Sequence, residues 1–307
     1  MRIIHAAPEL LPGSRKVCLA IGFFDGVHLG HQQVIRQTLT DARQHEAIAL
    51  VVTFDRHPNT IVAPNRVPPL VYSLPQKLRA VKSLGADTLL LLRFDKAFSE
   101  QSGEAFVRNL AHEVGPIQSL CVGANFVFGH KRGGNVELLR KLGAELNFTV
   151  HSMAAVSLDG RAVSSTRIRE AIRAGDLDSV SQMLGRAYSV AGTVVRGDGL
   201  GHKLGFPTAN LDTTGLALPP HGVYAVHAET GGKTYRAVLN IGHRPTLQTP
   251  NPQLRVEAHL IDFTRDLYGQ EVEVVFVERL RAEKRFASLG ELRQQIARDI
   301  LDAQMRF

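Results

Sequence analysis

Four short, almost wholly apolar runs punctuate the first part of this chain: Val17–Ile21, Ala47–Thr53, Thr88–Phe94 and Ser119–Val122. Runs of that length without polar alternation suit strands buried on both faces. Between them, Gly30–Gln44, Pro75–Leu84 and Gly103–Val114 place apolar residues at helical spacing. Alternating strand and helix narrows the architecture to a parallel, doubly wound α/β sheet. In such a sheet ligands bind beyond the carboxyl ends of the strands, and the segment Gly22–His31 follows the first run directly.

Near residue 185 the texture changes. Tyr188–Val195, Gly222–Ala228, Thr234–Leu239, Leu254–Ile261 and Glu271–Val277 are alternating, β-rich runs separated by loops of Gly, Pro and Asp. This part is expected to be all-β, an antiparallel barrel or sandwich. Ser288–Met305 reads as one closing helix, with Ser288 as N-cap and Glu291 completing a capping box. The 307 residues therefore divide into two expected domains, 1–185 and 186–307, with Asp178–Ala187 as the junction.

The net charge of +7 is shared by both parts, without a long Lys/Arg block, without basic residues interleaved with aromatics, and without Trp. That balance suits polyphosphate ligands better than nucleic acid. Cys18 and Cys121 each lie inside an apolar run, the pattern of buried thiols in a reducing compartment. With no export signal and no apolar run of membrane-spanning length, a cytoplasmic protein without membrane or nucleic-acid partners is expected.

Two segments carry chemistry. In Gly22-Phe23-Phe24-Asp25-Gly26-Val27-His28-Leu29-Gly30-His31, the glycines let backbone approach a ligand. His31 is expected near a helix N-terminus, where free N–H groups attract anions. Two imidazoles three positions apart can both donate to phosphate oxygens, whereas a metal site lacks further ligands at suitable spacing. Asn125, in Gly123–Gly129, also follows a strand. Ser164-Ser165-Thr166-Arg167-Ile168-Arg169 opens a helix. Its hydroxyls serve as caps in one reading; with the paired arginines they form a pyrophosphate clamp in the other, which is the expectation here.

The second segment, Gly197–Asn210, is the densest glycine cluster in the chain and is not a Walker A loop. Spacing alone reads it first as a long hairpin loop, and second as a backbone cradle for a nucleotide. Thr208 and Asn210 share one face of an extended stretch after Pro207, and their oxygens suit Mg²⁺. Glu257, in Arg255-Val256-Glu257-Ala258-His259, reads from spacing as a solvated strand residue, at no determinable distance from Thr208.

Taken in order, these residues resemble the bacterial bifunctional riboflavin kinase/FAD synthetases over nearly the whole chain. The resemblance rests on Gly22–His31, Thr53-Phe54-Asp55 with His57-Pro58, Asn125–Gly129 with Arg132, and Ser164–Arg169. It continues through Leu184-Gly185-Arg186, Gly205–Asn210, Gly222-Val223-Tyr224, Asn240-Ile241-Gly242 with Arg244-Pro245-Thr246, Glu257, Asp262-Phe263, Tyr268-Gly269, Arg281, Glu283 and Phe286. It implies a Rossmann-like nucleotidyltransferase domain joining FMN to AMP from ATP. It also implies a six-stranded antiparallel riboflavin kinase β-barrel with a terminal helix. In the first domain, His28 and His31 would stabilise the triphosphate, with Gly22, Phe24, Asp25, Gly30, Asn125, Arg132, Ser164, Ser165, Thr166 and Arg169 as nucleotide contacts. In the second, Lys203, Gly205, Phe206, Pro207, Thr208 and Asn210 would bind Mg²⁺–ATP. Glu257 would activate the ribityl hydroxyl, and Arg281 and Phe286 would contact flavin. Expected ligands are thus riboflavin, FMN, FAD and ATP, on a monomer or weak homo-oligomer. The neighbouring possibility is a monofunctional FMN adenylyltransferase whose barrel only binds flavin. Three positions depart from the family pattern: Arg56, where Pro is usual, and Val127 and His202, where Arg is common.

Overall fold

A computed structural model describes residues 1–10, 13, 15–243 and 254–307; the Arg244-Pro245-Thr246 match lies outside them. The chain forms two compact units, Met1–Leu70 with Leu74–Arg167, and Val71–Ser73 with Ile168–Phe307.

The first unit is built on a parallel sheet of β1 (Arg2–Ile4), β2 (Val17–Ile21), β3 (Ile48–Phe54), β4 (Thr88–Leu92), β5 (Ile117–Gly123) and β6 (Thr149–Met153). The strand order is β1-β4-β3-β2-β5-β6, parallel throughout. All five residues of β2 are buried because helices cover both faces. Leu19, Leu50 and Leu120 pack on one side. Ala20, Val51 and Cys121 pack on the other. The second face receives Val34 and Ile35 of α1 (Leu29–Gln44). After the short α2 (Asn59–Val62), α3 (Leu74–Ser83) adds Val81 to the same face. Beyond the short α4 (Lys96–Glu100), α5 (Gly103–Val114) and α6 (Val136–Leu146) supply Phe106 and Leu139 to the opposite face. The four strands expected from apolar runs are all present, and the edge strands β1 and β6 join them. A two-residue hairpin, β7 (Ser157–Leu158) with β8 (Arg161–Ala162), precedes α7 (Ser165–Ala174).

In the second unit, α8 (Leu177–Leu184) occupies most of the stretch expected to be the junction, closed by Gly185 in the left-handed conformation at φ 68°. The barrel then comprises β9 (Ser189–Val195), β10 (Ala209–Asp212), β11 (Gly222–Thr230), β12 (Lys233–His243), β13 (Leu254–Leu260) and β14 (Glu271–Ala282). It closes in the order β10-β13-β12-β11-β14-β9, antiparallel throughout. The helix α9 (Leu200–Leu204) interrupts the glycine-rich segment, and α10 (Leu289–Gln304) closes the chain. Tyr188, Tyr224 and Phe276 meet by ring contacts at 5.3–5.4 Å. On the opposite face of β11, Val223 and Ala225 pack against Ile300 and Ala303 of α10. Ser288 caps α10 as expected, accepting from the Glu291 N–H at 3.2 Å. The Glu291 carboxylate reaches back one residue further than a standard box, to the Ala287 N–H. Among the described residues no helix is long and apolar enough to cross a membrane.

Candidate active sites

The neighbours of β2 are β3 and β5, so strand order reverses there, and the crevice above β2 and β5 is the natural ligand position in such a sheet. The chain leaves β2 into the Gly22–His31 turn and leaves β5 toward Asn125. Gly22 is required for packing, since a Cβ there would stand 2.7 Å from the Phe24 ring. Phe24 (φ 55°) and Val27 (φ 41°) are left-handed without being glycine. Each such residue costs about 1–3 kcal/mol, strain of the kind found at ligand-binding turns.

The turn delivers His28 as the N-cap of α1, with its Nδ1 accepting from the His31 N–H at 3.4 Å. The two imidazoles stack with centroids 3.6 Å apart. His31 Nδ1 is buried with no hydrogen-bond partner. Burial first, and then the charges of His28 and Lys77, push the His31 pKa well below 6.5. A buried, unpaired ring nitrogen in the first turn of a helix is a place for a ligand oxygen.

The other expected contacts are distributed unevenly. Ser165 Oγ donates to the Asp25 carbonyl at 3.1 Å, fastening the start of α7 to the turn. Ser164 Oγ accepts from the Arg167 N–H at 3.2 Å, so its role in this structure is a helix cap. Arg167 donates to the Leu158 and Arg161 carbonyls, both at 2.8 Å. Arg167 is thus committed to the β7–β8 hairpin, while Arg169 is buried. Asn125 is exposed on the turn after β5, Thr166 is exposed on α7, and Arg132 is exposed at φ 60°. Gly30 lies in the first turn of α1 against the His28 ring. Arg56, the departure from the family pattern, pairs with Asp55 at 2.8 Å. Sequence reading passed over Lys77, which the structure buries beneath the turn; a lysine on an amphipathic helix ordinarily faces water.

On the barrel, strand register assembles what spacing could not. Asn210 pairs with Glu257, Glu257 with Asn240, Asn240 with Val223, and Val223 with Arg281. These five form one row across β10, β13, β12, β11 and β14, and all five line a cavity of about 260 Å³. Leu292, Ile296 and Ile300 of α10, with Phe286, give it an apolar wall. Phe206 and Thr208 line it as well. Gly201 must lack a Cβ, which would come 2.9 Å from Thr208 Oγ1 and 2.5 Å from the Phe206 carbonyl. Lys203 is exposed on α9, and Gly205 closes that helix at φ 89°; neither lines the cavity. Pro207 also stays outside, its carbonyl accepting from His259 Nδ1 at 2.8 Å.

Arg255 links the glycine segment to this row, 2.9 Å from Asp198 and 3.9 Å from Glu257. Arg281 is held by Asp299 of α10 through Nε–Oδ1 at 2.8 Å and Nη2–Oδ2 at 2.7 Å, with Phe286 5.9 Å from its guanidinium. Spacing gave Asn240, Arg255 and His259 no role in the site; their place there comes from the pairing of β13 with β10 and β12.

Residues 12–167 match the family described as FAD synthetase, and residues 184–307 match the family described as riboflavin kinase. A bifunctional riboflavin kinase/FMN adenylyltransferase of Escherichia coli (strain K12) is 37% identical over 309 residues, covering 100% of this chain and 98% of the relative. The enzyme of the same name from Haemophilus influenzae is 34% identical over 308 residues, with the same coverage. A solved structure described as a macrolide-efflux protein from Streptococcus pneumoniae shares the fold at a TM-score of 0.81 and 27% identity, covering 99% of this chain and 98% of that one.

Proposed function

This chain belongs to the family of bifunctional riboflavin kinases/FMN adenylyltransferases, and from that premise we propose that it carries out two consecutive ATP-dependent steps. Riboflavin and ATP give FMN and ADP; FMN and a second ATP then give FAD and pyrophosphate. Both are in-line displacements at phosphorus, where positioning and charge neutralisation dominate. We assign adenylylation to residues 1–185 and phosphorylation to residues 186–307.

The observation that carries the kinase assignment is the Asn210–Glu257 pairing across β10 and β13. Glu257 takes the proton from the ribityl 5′-hydroxyl as that oxygen attacks the γ-phosphorus, and ADP leaves. The apolar wall of α10 and Phe286 suits a flavin ring. Hydroxyl and amide oxygens at Thr208 and Asn210, which line the cavity, fit Mg²⁺, a hard cation that keeps several waters and binds mainly through substrate phosphates. When bound there with ATP, Mg²⁺ would neutralise charge on the phosphates.

In the first unit, an FMN phosphate oxygen attacks the α-phosphorus of ATP. His28, His31 and the N-terminus of α1 stabilise the charge that develops, and pyrophosphate leaves. Ser165 holds the turn in place, and Gly22, Phe24, Asp25, Gly30, Asn125 and Arg132 complete the assigned nucleotide contacts. The protein is proposed to work in the cytoplasm as a monomer or weak homo-oligomer. Incubation with riboflavin, Mg²⁺ and ATP, with flavins resolved by chromatography, is expected to yield FMN and then FAD. Absence of both overturns the reading. FAD from supplied FMN, without FMN from riboflavin, would instead select the monofunctional adenylyltransferase.

A further inference from the structure

Lys77 lies on α3 with 3% of its surface exposed, an unusual place for an ammonium. All three of its N–H donors find oxygens: the Phe54 carbonyl at 2.8 Å, the Phe23 carbonyl at 3.2 Å and Thr53 Oγ1 at 3.3 Å. Thr53 Oγ1 in turn donates to the same Phe23 carbonyl at 3.1 Å. The Phe23 ring covers the ammonium at 4.4 Å from its centroid. One cation thus ties α3 to the carboxyl ends of both β2 and β3. Phe23 is also the last residue before Phe24, where the backbone enters the left-handed turn that delivers His28 and His31. An apolar side chain at position 77 would leave two inward-facing carbonyls without this donor.

We propose that Lys77 is a positioning residue of the adenylyl-transfer site: by pinning the Phe23 carbonyl, it fixes where the turn bearing His28 and His31 leaves the sheet. This rests on the assignment of adenylyl transfer to the first unit. The groups that face Lys77 are Asp25 on the turn, Asp55 after β3 and His31 on α1; His57 stands edge-on to the covering Phe23 ring at 5.0 Å. The ammonium charge helps keep the His31 ring neutral. Burial lowers the Lys77 pKa to about 8, against the pull of Asp25 and Asp55.

The pH signature has two parts of opposite sign. Above about pH 8 the folded protein loses the Lys77 proton, the three-way tie weakens, and adenylylation slows. An unfolded lysine keeps its proton up to about 10.5, so over that interval the unfolded state binds more protons and this lysine's contribution to stability rises with pH. Titration of this lysine therefore slows the reaction without itself favouring unfolding.

The test compares wild type, Lys77→Met and Lys77→Arg in the full chain, with FMN adenylylation and riboflavin phosphorylation measured against pH and the His31 ring signals titrated by NMR. Lys77→Met is expected to lower the adenylylation kcat roughly 10–100-fold, with riboflavin phosphorylation unchanged and the His31 titration moved to higher pH. Lys77→Arg, charged at every pH used, is expected to recover much of the rate and to lack the fall above about pH 8. A Met variant with wild-type kcat and an unmoved His31 titration overturns the proposal. So does an Arg variant that keeps the wild-type alkaline fall, a comparison that stands if the Met variant does not fold. Wild type that makes no FAD from FMN refutes the functional assignment instead, an outcome distinct from an unaffected Met variant.

Discussion

Replacing Asp299 with alanine should loosen α10 from the barrel by a calculable amount. Asp299 is 3% exposed and holds Arg281 through two charge-assisted bonds, at 2.8 and 2.7 Å, while Gln295 Nε2 adds a third contact at 2.9 Å. Removing one partner of a buried ion pair costs about 3–5 kcal/mol, much of it the stranded charge. Arg281 keeps 22% of its side chain in water and can be partly rehydrated, which places the loss near the lower end, at about 3 kcal/mol. In a unit of this size each kcal/mol moves the melting midpoint by about 2–4 °C, so the barrel transition should fall by roughly 6–12 °C. Scanning calorimetry of the full chain measures this, the barrel transition being identified by the accompanying loss of riboflavin phosphorylation. The double change Arg281→Met with Asp299→Leu should recover most of the loss, because no charge is left unpaired. A shift under about 2 °C, or a double variant as damaged as Asp299→Ala, refutes the reasoning.

Three further outcomes are expected. Gly201→Ala should abolish FMN formation and spare FMN adenylylation, because the added Cβ meets the Phe206 carbonyl at 2.5 Å and Thr208 Oγ1 at 2.9 Å; parallel rate assays check it. Arg255→Leu severs the 2.9 Å link to Asp198 and should slow riboflavin phosphorylation roughly tenfold by freeing the glycine segment, with partial rescue by Arg255→Lys. The folded His31 pKa is depressed, so an unfolded chain takes that proton first as pH falls. The contribution of His31 to stability is complete above pH 6.5 and is lost as pH drops toward its folded value. His31→Asn should flatten the urea midpoint below pH 6.5, and parallel pH profiles for variant and wild type would contradict this.

The central strands were legible because burial on both faces forces uninterrupted apolar runs, as in Leu-rich β4 and wholly buried β2. Arg2–Ile4 is too short to show a period, and Thr149–Met153 carries Thr, His and Ser, as an edge strand can; both escaped. His28 and His31 could be placed because a cap and the first turn of a helix are local events. Glu257 could not, because its neighbours Asn210 and Asn240 reach it only through strand register, and the family resemblance supplied what spacing lacked. The start of α7 shows how local bonds compete with ligand contacts. Ser164 satisfies a local backbone donor, and Arg167 satisfies two carbonyls before any ligand arrives. Lys77 was invisible because amphipathic spacing assigns charged residues to water, and only a set of inward-facing oxygens makes an exception.

The account stands most directly on the separability of its two sites. Initial rates of riboflavin phosphorylation and of FMN adenylylation should be measured on the full chain for Glu257→Gln and for His28→Ala combined with His31→Ala. The first variant should lose FMN formation while still converting supplied FMN to FAD. The second should lose FAD formation, by roughly 10²–10³ for each donor removed, while phosphorylating riboflavin at the wild-type rate. If both variants depress both rates equally, the two constellations do not serve two separate reactions, and the account fails.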